Sequence, residues 1–108
     1  MKHLACELST LKKHRKMRIF IESTPILVAY IDGDIYAVND KCPHMRASLY
    51  KGTIDSEGVV TCQAHKAKID MKSGRIQQKA KIAFLPLPTK KTRAYSVSTD
   101  EGKVYVDA

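Results

Sequence analysis

The stretch from residue 26 to residue 44, ILVAYIDGDIYAVNDKCPH, contains two short apolar segments and ends in a cysteine and a histidine. Both segments are rich in β-branched and aromatic residues, a composition typical of strands. The Asp32-Gly33 pair between them readily adopts the positive φ angles of a two-residue hairpin turn. The stretch therefore predicts two antiparallel strands, 26–31 and 35–38, followed by a loop that carries the cysteine and the histidine.

The rest of the chain shows the same strand signature in short segments separated by turn residues. Further strands are predicted at these positions: 3–7, 17–21, 58–61, 67–71, 94–97 and 103–106. No window of helical length has a sustained 3.6-residue period, although residues 9–13 or 47–50 could form a single turn. We therefore predict an all-β protein, an antiparallel β-sandwich or partly open barrel. Because the chain has no linker or internal repeat, we expect one domain over residues 1–108.

The chain has three cysteines among its 108 residues, too few and too odd in number for a disulfide framework. Cys42 and Cys62 are each followed by a histidine within three residues, which favours metal binding over a disulfide. We expect Cys6 to be a buried or idle thiol. No stretch approaches the ~20 apolar residues of a membrane-spanning helix, and the first residues lack a secretion-signal core, so we expect a cytoplasmic protein with no membrane partner.

The chain is strongly basic, with a formal net charge of +8. Several cations are close together in sequence: Lys12, Lys13, Arg15, Lys16 and Arg18. Such a group is either a solvated face or a surface that attracts acidic partners or nucleic acid. No aromatic residues are interleaved with these cations as a stacking platform, so we expect no nucleic-acid partner.

The chemistry-bearing residues form two pairs, Cys42 with His44 and Cys62 with His65, and 17 residues separate His44 from Cys62. Each pair follows a predicted strand, which can present ligands at a fixed separation. Two thiolates and two imidazoles suit either a tetrahedral zinc ion or an iron–sulfur cluster. Because each loop offers one thiolate and one imidazole, the arrangement fits a two-iron cluster with both cysteines on one iron and both histidines on the other. A structural zinc or regulatory binding module with the same ligands is the alternative.

Four segments around these pairs resemble the Rieske family, whose run CPHxxASL…G…VxCxxHxxxFDxxxG they follow in order. They are residues 42–49 (CPHMRASL), Gly52, residues 59–62 (VVTC) and residues 68–74 (KIDMKSG). The resemblance implies a Rieske-like fold with a small cluster-binding subdomain of two ligand loops, over about residues 41–75.

In such a fold one [2Fe–2S] cluster is the cofactor, and the resemblance gives Cys42, His44, Cys62 and His65 as its ligands. The segment Leu85–Pro88 looks like the proline-bearing loop that covers the cluster in this family.

Some positions depart from the family pattern and bear on cluster properties. Lys66 replaces a usual glycine after the second histidine, and Ala64 replaces a usual aromatic residue before it. Members of the high-potential branch carry a serine and a tyrosine at positions that match Ala67 and Ile69. They also carry two cysteines, joined in a disulfide, at positions that match Ala47 and Ala64. None of these side chains donates a hydrogen bond or forms a disulfide. The resemblance is therefore to the low-potential, ferredoxin-like branch, near the lower end of the Rieske range, about −150 mV.

Family members of this size carry electrons and have no small-molecule substrate of their own. The resemblance implies a non-enzymatic component that passes electrons from a reductase to a terminal oxidoreductase, such as a ring-hydroxylating dioxygenase or a nitrite reductase. Four cations flank the ligand pairs: Lys41, Arg46, Lys66 and Lys68. They suggest redox partner proteins that present an acidic docking patch.

The four histidines provide a direct test of the ligand assignment. Replacing His44 or His65 by alanine should abolish cluster binding, because each removes one iron ligand. The same change at His3 or His14 should leave iron and sulfide content at the wild-type level. Loss of the cluster from all four variants, or from none, would contradict the assignment.

Overall fold

The computed structural model describes residues 2–41, 48–62, 67–78, 81–82, 85–86 and 92–108. One α-helix, α1 (Leu8–His14), and a 3-10 turn (Leu49–Lys51) accompany a set of short strands. The strands are β1 (Lys2–Glu7), β2 (Lys16–Ile21), β3 (Thr24–Ile31), β4 (Asp34–Asn39), β5 (Thr53–Ile54), β6 (Val59–Thr61), β7 (Lys68–Asp70), β8 (Ile76–Gln78), β9 (Lys81–Ile82), β10 (Leu85–Pro86), β11 (Ala94–Asp100) and β12 (Lys103–Asp107).

The strands form one large antiparallel sheet and two smaller ones. The large sheet has the order β1-β12-β11-β4-β3-β2 and nearly closes on itself. A four-stranded sheet has the order β5-β6-β7-β8, and β9 pairs with β10 alone. The predicted all-β class and partly open barrel are confirmed.

The hairpin predicted from Asp32-Gly33 is present. Strands β3 and β4 pair in register from Ile31 opposite Asp34 to Ile26 opposite Asn39. Both turn residues have positive φ, +50° at Asp32 and +89° at Gly33. This hairpin delivers the chain to the first predicted ligand pair at the end of β4.

Helix α1 is longer than the single turn that the sequence predicts for residues 9–13. It spans Leu8–His14, and only Leu11 among its residues is fully buried. A helix that buries one leucine leaves no apolar stripe, so a periodicity search underestimates it. In the described part of the chain, no helix is long and apolar enough to cross a bilayer.

Strand β3 is buried on both faces and lies between two apolar clusters. Leu27 and Ala29 pack into one cluster with residues of the 3-10 turn, β6 and β7. Ile26 and Val28 pack into the other with Leu11 and with residues of β2 and β12. This double burial explains why ILVA is a continuous apolar run rather than an alternating one.

The four-stranded sheet contains strands that the sequence did not predict, since β5 and β8 have only two and three residues. Residues 85 and 86 were predicted as part of a loop but pair as a strand with β9, and residues 87–88 lie outside the described ranges. Segments this short carry no readable periodicity.

A close backbone contact joins the four-stranded sheet to the large one at Gly74. The Gly74 carbonyl accepts the Thr92 N–H at 3.0 Å, just before β11 begins. A Cβ built on Gly74 would lie 2.1 Å from the Thr92 carbonyl oxygen, far inside van der Waals contact. Only glycine fits here without displacing the backbone.

Gly102 is a matched control for this contact, because its φ of +77° is close to the +76° of Gly74 but a Cβ there would meet nothing within 4 Å. Alanine at either position carries the same left-handed strain. We predict that Gly74→Ala lowers the free energy of unfolding by about 1–3 kcal/mol more than Gly102→Ala does. Urea unfolding of both variants measures the difference, and equal losses would contradict the contact.

Candidate metal centre

The first predicted ligand loop, residues 42–47, is closed at its base by backbone contacts. Lys41 and Ser48 form an isolated antiparallel bridge across the loop. The Leu49 N–H donates to the Asp40 carbonyl at 2.6 Å, one residue further out on each side. The two ends of a six-residue loop are thereby held side by side. Cys42 and His44 lie outside the described residues.

The second predicted ligand loop, residues 63–66, joins β6 to β7. The Cys62 N–H donates to the Ala67 carbonyl at 2.8 Å and closes this loop at its base. Cys62 is 1% exposed and packs in the same apolar cluster as Leu49 and Ala67. The predicted thiol ligand thus lies at a strand end, as expected, and His65 lies outside the described residues.

The bases of the two loops pack directly against each other. Thr53, just beyond the first loop's 3-10 turn, pairs with Thr61 next to Cys62. A Cβ on Gly52 would lie 2.1 Å from the Thr61 carbonyl oxygen, so this glycine lets the two segments approach closely. The glycine quoted in the family pattern is therefore a packing requirement between the loop bases.

A [2Fe–2S] cluster fits the predicted ligands in chemistry, and the structure places the bases of their two loops side by side. The first loop carries one cysteine and one histidine in sequence, and so does the second with its base. Two such pairs side by side match a cluster in which each iron has two protein ligands. Three of the four predicted ligands lie outside the described residues. The described residues themselves contain no group of three or more His, Cys, Asp or Glu side chains that could hold a metal ion.

A buried carboxylate, that of Asp40, binds residues at the far end of the first loop. Asp40 is fully buried, and its Oδ1 accepts the Tyr50 N–H at 2.7 Å. Its Oδ2 accepts the Ser48 hydroxyl at 2.5 Å and the Arg18 Nε–H at 2.6 Å. Hydrogen bonds from three groups and one positive charge compensate the burial of this anion. Sequence reasoning did not find Asp40, because one acidic residue between a strand and a cysteine has no distinctive spacing.

Two members of the basic group bind groups within the chain, which the interpretation as solvated or partner-binding charge did not predict. Arg18 bonds to Asp40, and Lys16 donates to the carbonyls of Tyr50 and, at 2.9 Å, of Gly52. The Lys16 ammonium also lies 4.8 Å from the centroid of the Tyr50 ring. Both cations belong to the seam between β2 and the residues on either side of the first loop. Lys16 and Arg18 alternate with Met17 and Ile19 on β2, but this pattern does not identify their partners.

The positions that the sequence linked to cluster properties are partly described. Ala67 and Ile69 are fully buried and apolar. Lys41 and Lys68 are exposed, on opposite sides of the two loops in sequence. Ala47, Ala64, Arg46 and Lys66 lie outside the described residues.

Cys6 is separate from the two loops. It lies on β1 opposite Val104 of β12, is half-buried, and packs against the second apolar cluster. Burial raises the pKa of its thiol, which keeps the sulfur protonated and weakly nucleophilic near neutral pH. These properties agree with the prediction of an idle thiol.

Comparison with a family model gives a match over most of the chain. The model describing the Rieske [2Fe-2S] domain matches residues 1–89.

The chain is also similar to named ferredoxins, both in sequence and in solved structures. The 3-phenylpropionate/cinnamic acid dioxygenase ferredoxin subunit of Escherichia coli (strain K12) is 28% identical over 104 residues, which cover 95% of this chain and 90% of that subunit. The ferredoxin of carbazole 1,9a-dioxygenase from Nocardioides aromaticivorans IC177 superimposes with a TM-score of 0.79 at 23% identity, covering 98% and 96% of the two chains. A complex of reduced oxygenase and oxidized ferredoxin in carbazole 1,9a-dioxygenase matches with a TM-score of 0.78 at 26% identity, covering 97% and 91%.

The different surroundings of two cysteines lead to a paired prediction. Cys62→Ala should remove bound iron and sulfide, because it deletes a predicted thiolate ligand. Cys6→Ala, a change of the same size in the large sheet, should leave both at the wild-type level. Iron and acid-labile sulfide assays on the two variants measure the effect, with circular dichroism to establish that each is folded. A folded Cys62→Ala protein with full iron content would contradict the site.

Proposed function

Because this chain belongs to the Rieske [2Fe–2S] domain family, we propose that it is a one-electron carrier serving the oxygenase component of a dioxygenase system. The observation that carries the proposal is the match to a dioxygenase ferredoxin subunit over nine tenths of that subunit's length. On this proposal the chain is a non-enzymatic component that receives electrons from a reductase.

Four side chains would hold the cofactor. Cys42 and Cys62 would bind one iron and His44 and His65 the other, so that each loop contributes to both metals. The [2Fe–2S] cluster supplies a group that is reduced and oxidised by one electron, at a higher potential than an all-cysteine cluster because imidazole ligands are neutral. The buried side chains of Ala67 and Ile69 offer no hydrogen bond that would raise the potential further. We therefore propose a potential near −150 mV, about the lower limit for Rieske sites.

The exposed lysines at the loop bases support a docking face for an acidic partner. Lys41 precedes the first loop and Lys68 follows the second, and both are exposed. A carrier must bring its cluster close to its partner and then dissociate, and complementary surface charge speeds that encounter. The similar ferredoxin in complex with an oxygenase makes the oxygenase the partner we favour.

Two further proposals concern the whole chain. We infer that residues 1–108 form one domain with a cluster-binding part at about residues 41–75. The pairing of β12 with both β1 and β11 supports this, because it places both ends of the described chain in the large sheet. We also infer a cytoplasmic location, which suits three cysteines of which two serve a cluster.

Electron delivery to an oxygenase tests the proposal. The dithionite-reduced protein is mixed anaerobically with the oxidised oxygenase component of 3-phenylpropionate/cinnamic acid dioxygenase, and cluster reoxidation is followed by stopped-flow absorbance. We expect one electron per chain to reach the oxygenase. A protein whose reduced cluster delivers no electron to this oxygenase would contradict the proposed function.

The same assay tests the docking face. Raising salt from about 0.01 M to about 1 M shortens the screening length from about 30 Å to about 3 Å, so the second-order rate should fall about tenfold or more. Lys68→Glu should slow the reaction at low salt, whereas Lys103→Glu, the same charge change at the exposed start of β12, should have a smaller effect. Rates independent of salt and of Lys68 would exclude an acidic docking patch.

A further inference from the structure

The contacts of Asp40 cross the base of the first ligand loop. Asp40 precedes the loop by two residues, whereas Ser48 and Tyr50 follow it. One carboxylate binds both of these residues, through Oδ2 to the Ser48 hydroxyl and through Oδ1 to the Tyr50 N–H. Together with the backbone bond from Leu49 to the Asp40 carbonyl, three hydrogen bonds join the two ends of the loop.

Arg18 attaches this closed base to the large sheet. It lies on β2, 22 residues before Asp40, and its Nε–H donates to Oδ2 at 2.6 Å. The arginine side chain is 40% exposed and the carboxylate is fully buried. A hydrogen bond between two ionised groups is stronger than one between neutral groups. Removing the cation would leave an unpaired charge in the interior, which costs much free energy. The position of Asp40, and with it the loop base, therefore depends on Arg18.

We propose that Arg18, Asp40 and Ser48 act as positioning residues for the cluster, by fixing the two ends of the predicted loop that carries Cys42 and His44 against the large sheet. This inference rests on the proposed ligand assignment. Six residues separate Lys41 from Ser48, so a shift at either end of so short a loop changes the directions available to the ligands within it. Supporting residues behind metal ligands commonly affect metal affinity and potential in this way.

An ordinary stabilising ion pair would behave differently. It would raise the free energy of unfolding without altering the cluster, because it would not change the geometry of the iron ligands. A positioning unit also changes how the ligands meet the iron, which alters the EPR spectrum of the reduced cluster, its midpoint potential and the rate at which a chelator removes iron.

The experiment compares Arg18→Met with Lys13→Met in the cluster-loaded protein. Both variants replace one cation by an apolar chain of similar length, but Lys13 is exposed on α1, whereas Arg18 donates to the Asp40 carboxylate. We expect iron loss to a chelator about 10-fold faster in Arg18→Met than in wild type. We also expect altered EPR g values and a displaced midpoint potential. Lys13→Met should match wild type in all three measurements.

Ser48→Ala provides the second variant, since removing Arg18 leaves a buried carboxylate without its cation and could prevent folding. It deletes only the hydroxyl that binds Oδ2 from the far side of the loop, and the same three changes are expected. A folded Arg18→Met or, if that variant does not fold, a Ser48→Ala protein with the EPR spectrum, potential and iron-loss rate of wild type would overturn the positioning role. Wild-type protein without iron and sulfide would instead contradict the proposed function itself.

Discussion

The buried carboxylate of Asp40 is the constraint on which the cluster region depends, because burial forces a charged group to find compensating partners. It finds three partners on two segments: Arg18 on β2, and the Ser48 hydroxyl and the Tyr50 N–H just after the first loop. Satisfying one anion therefore fixes the loop base relative to the large sheet. Lys16 adds to this seam through the carbonyls of Tyr50 and Gly52. Polar contacts thus fix the base of the first loop relative to β2, whereas apolar contacts hold the large sheet and the four-stranded sheet together.

Strand β3 provides that apolar packing. Its alternate side chains enter two clusters, one shared with the four-stranded sheet and one with α1, β2 and β12. The first cluster includes Leu49, next to the first loop, and Cys62 and Ala67, which close the second. The hydrophobic core and the loop bases are therefore continuous, and a fixed separation between the loop bases follows from the packing of rigid side chains. A redox site benefits from such rigidity, because ligands that are held in place move little when the iron changes its oxidation state.

The sequence predicted the parts of this molecule that have local signals. The β3–β4 hairpin was predicted from Asp32-Gly33, the all-β class from short β-branched segments, and Cys62 as the end of a strand. The length of α1 and the short strands β5 and β8 were not predicted, since they lack a full period of apolar residues. The bond between Arg18 and Asp40 was missed for another reason: the partners are 22 residues apart, and charge alone does not identify a partner. Cys42, His44 and His65 stay predictions, because they lie outside the described residues.

We infer that two loops, closed at adjacent bases, hold one [2Fe–2S] cluster with two thiolates and two imidazoles. Protein purified without oxygen should contain about two iron and two sulfide per chain and no zinc. Reduction by one electron should give an EPR signal that integrates to about one spin per chain, with histidine nitrogen couplings on one iron in its hyperfine spectrum. A colourless protein with one zinc per chain, no inorganic sulfide and no EPR signal after reduction would contradict the account.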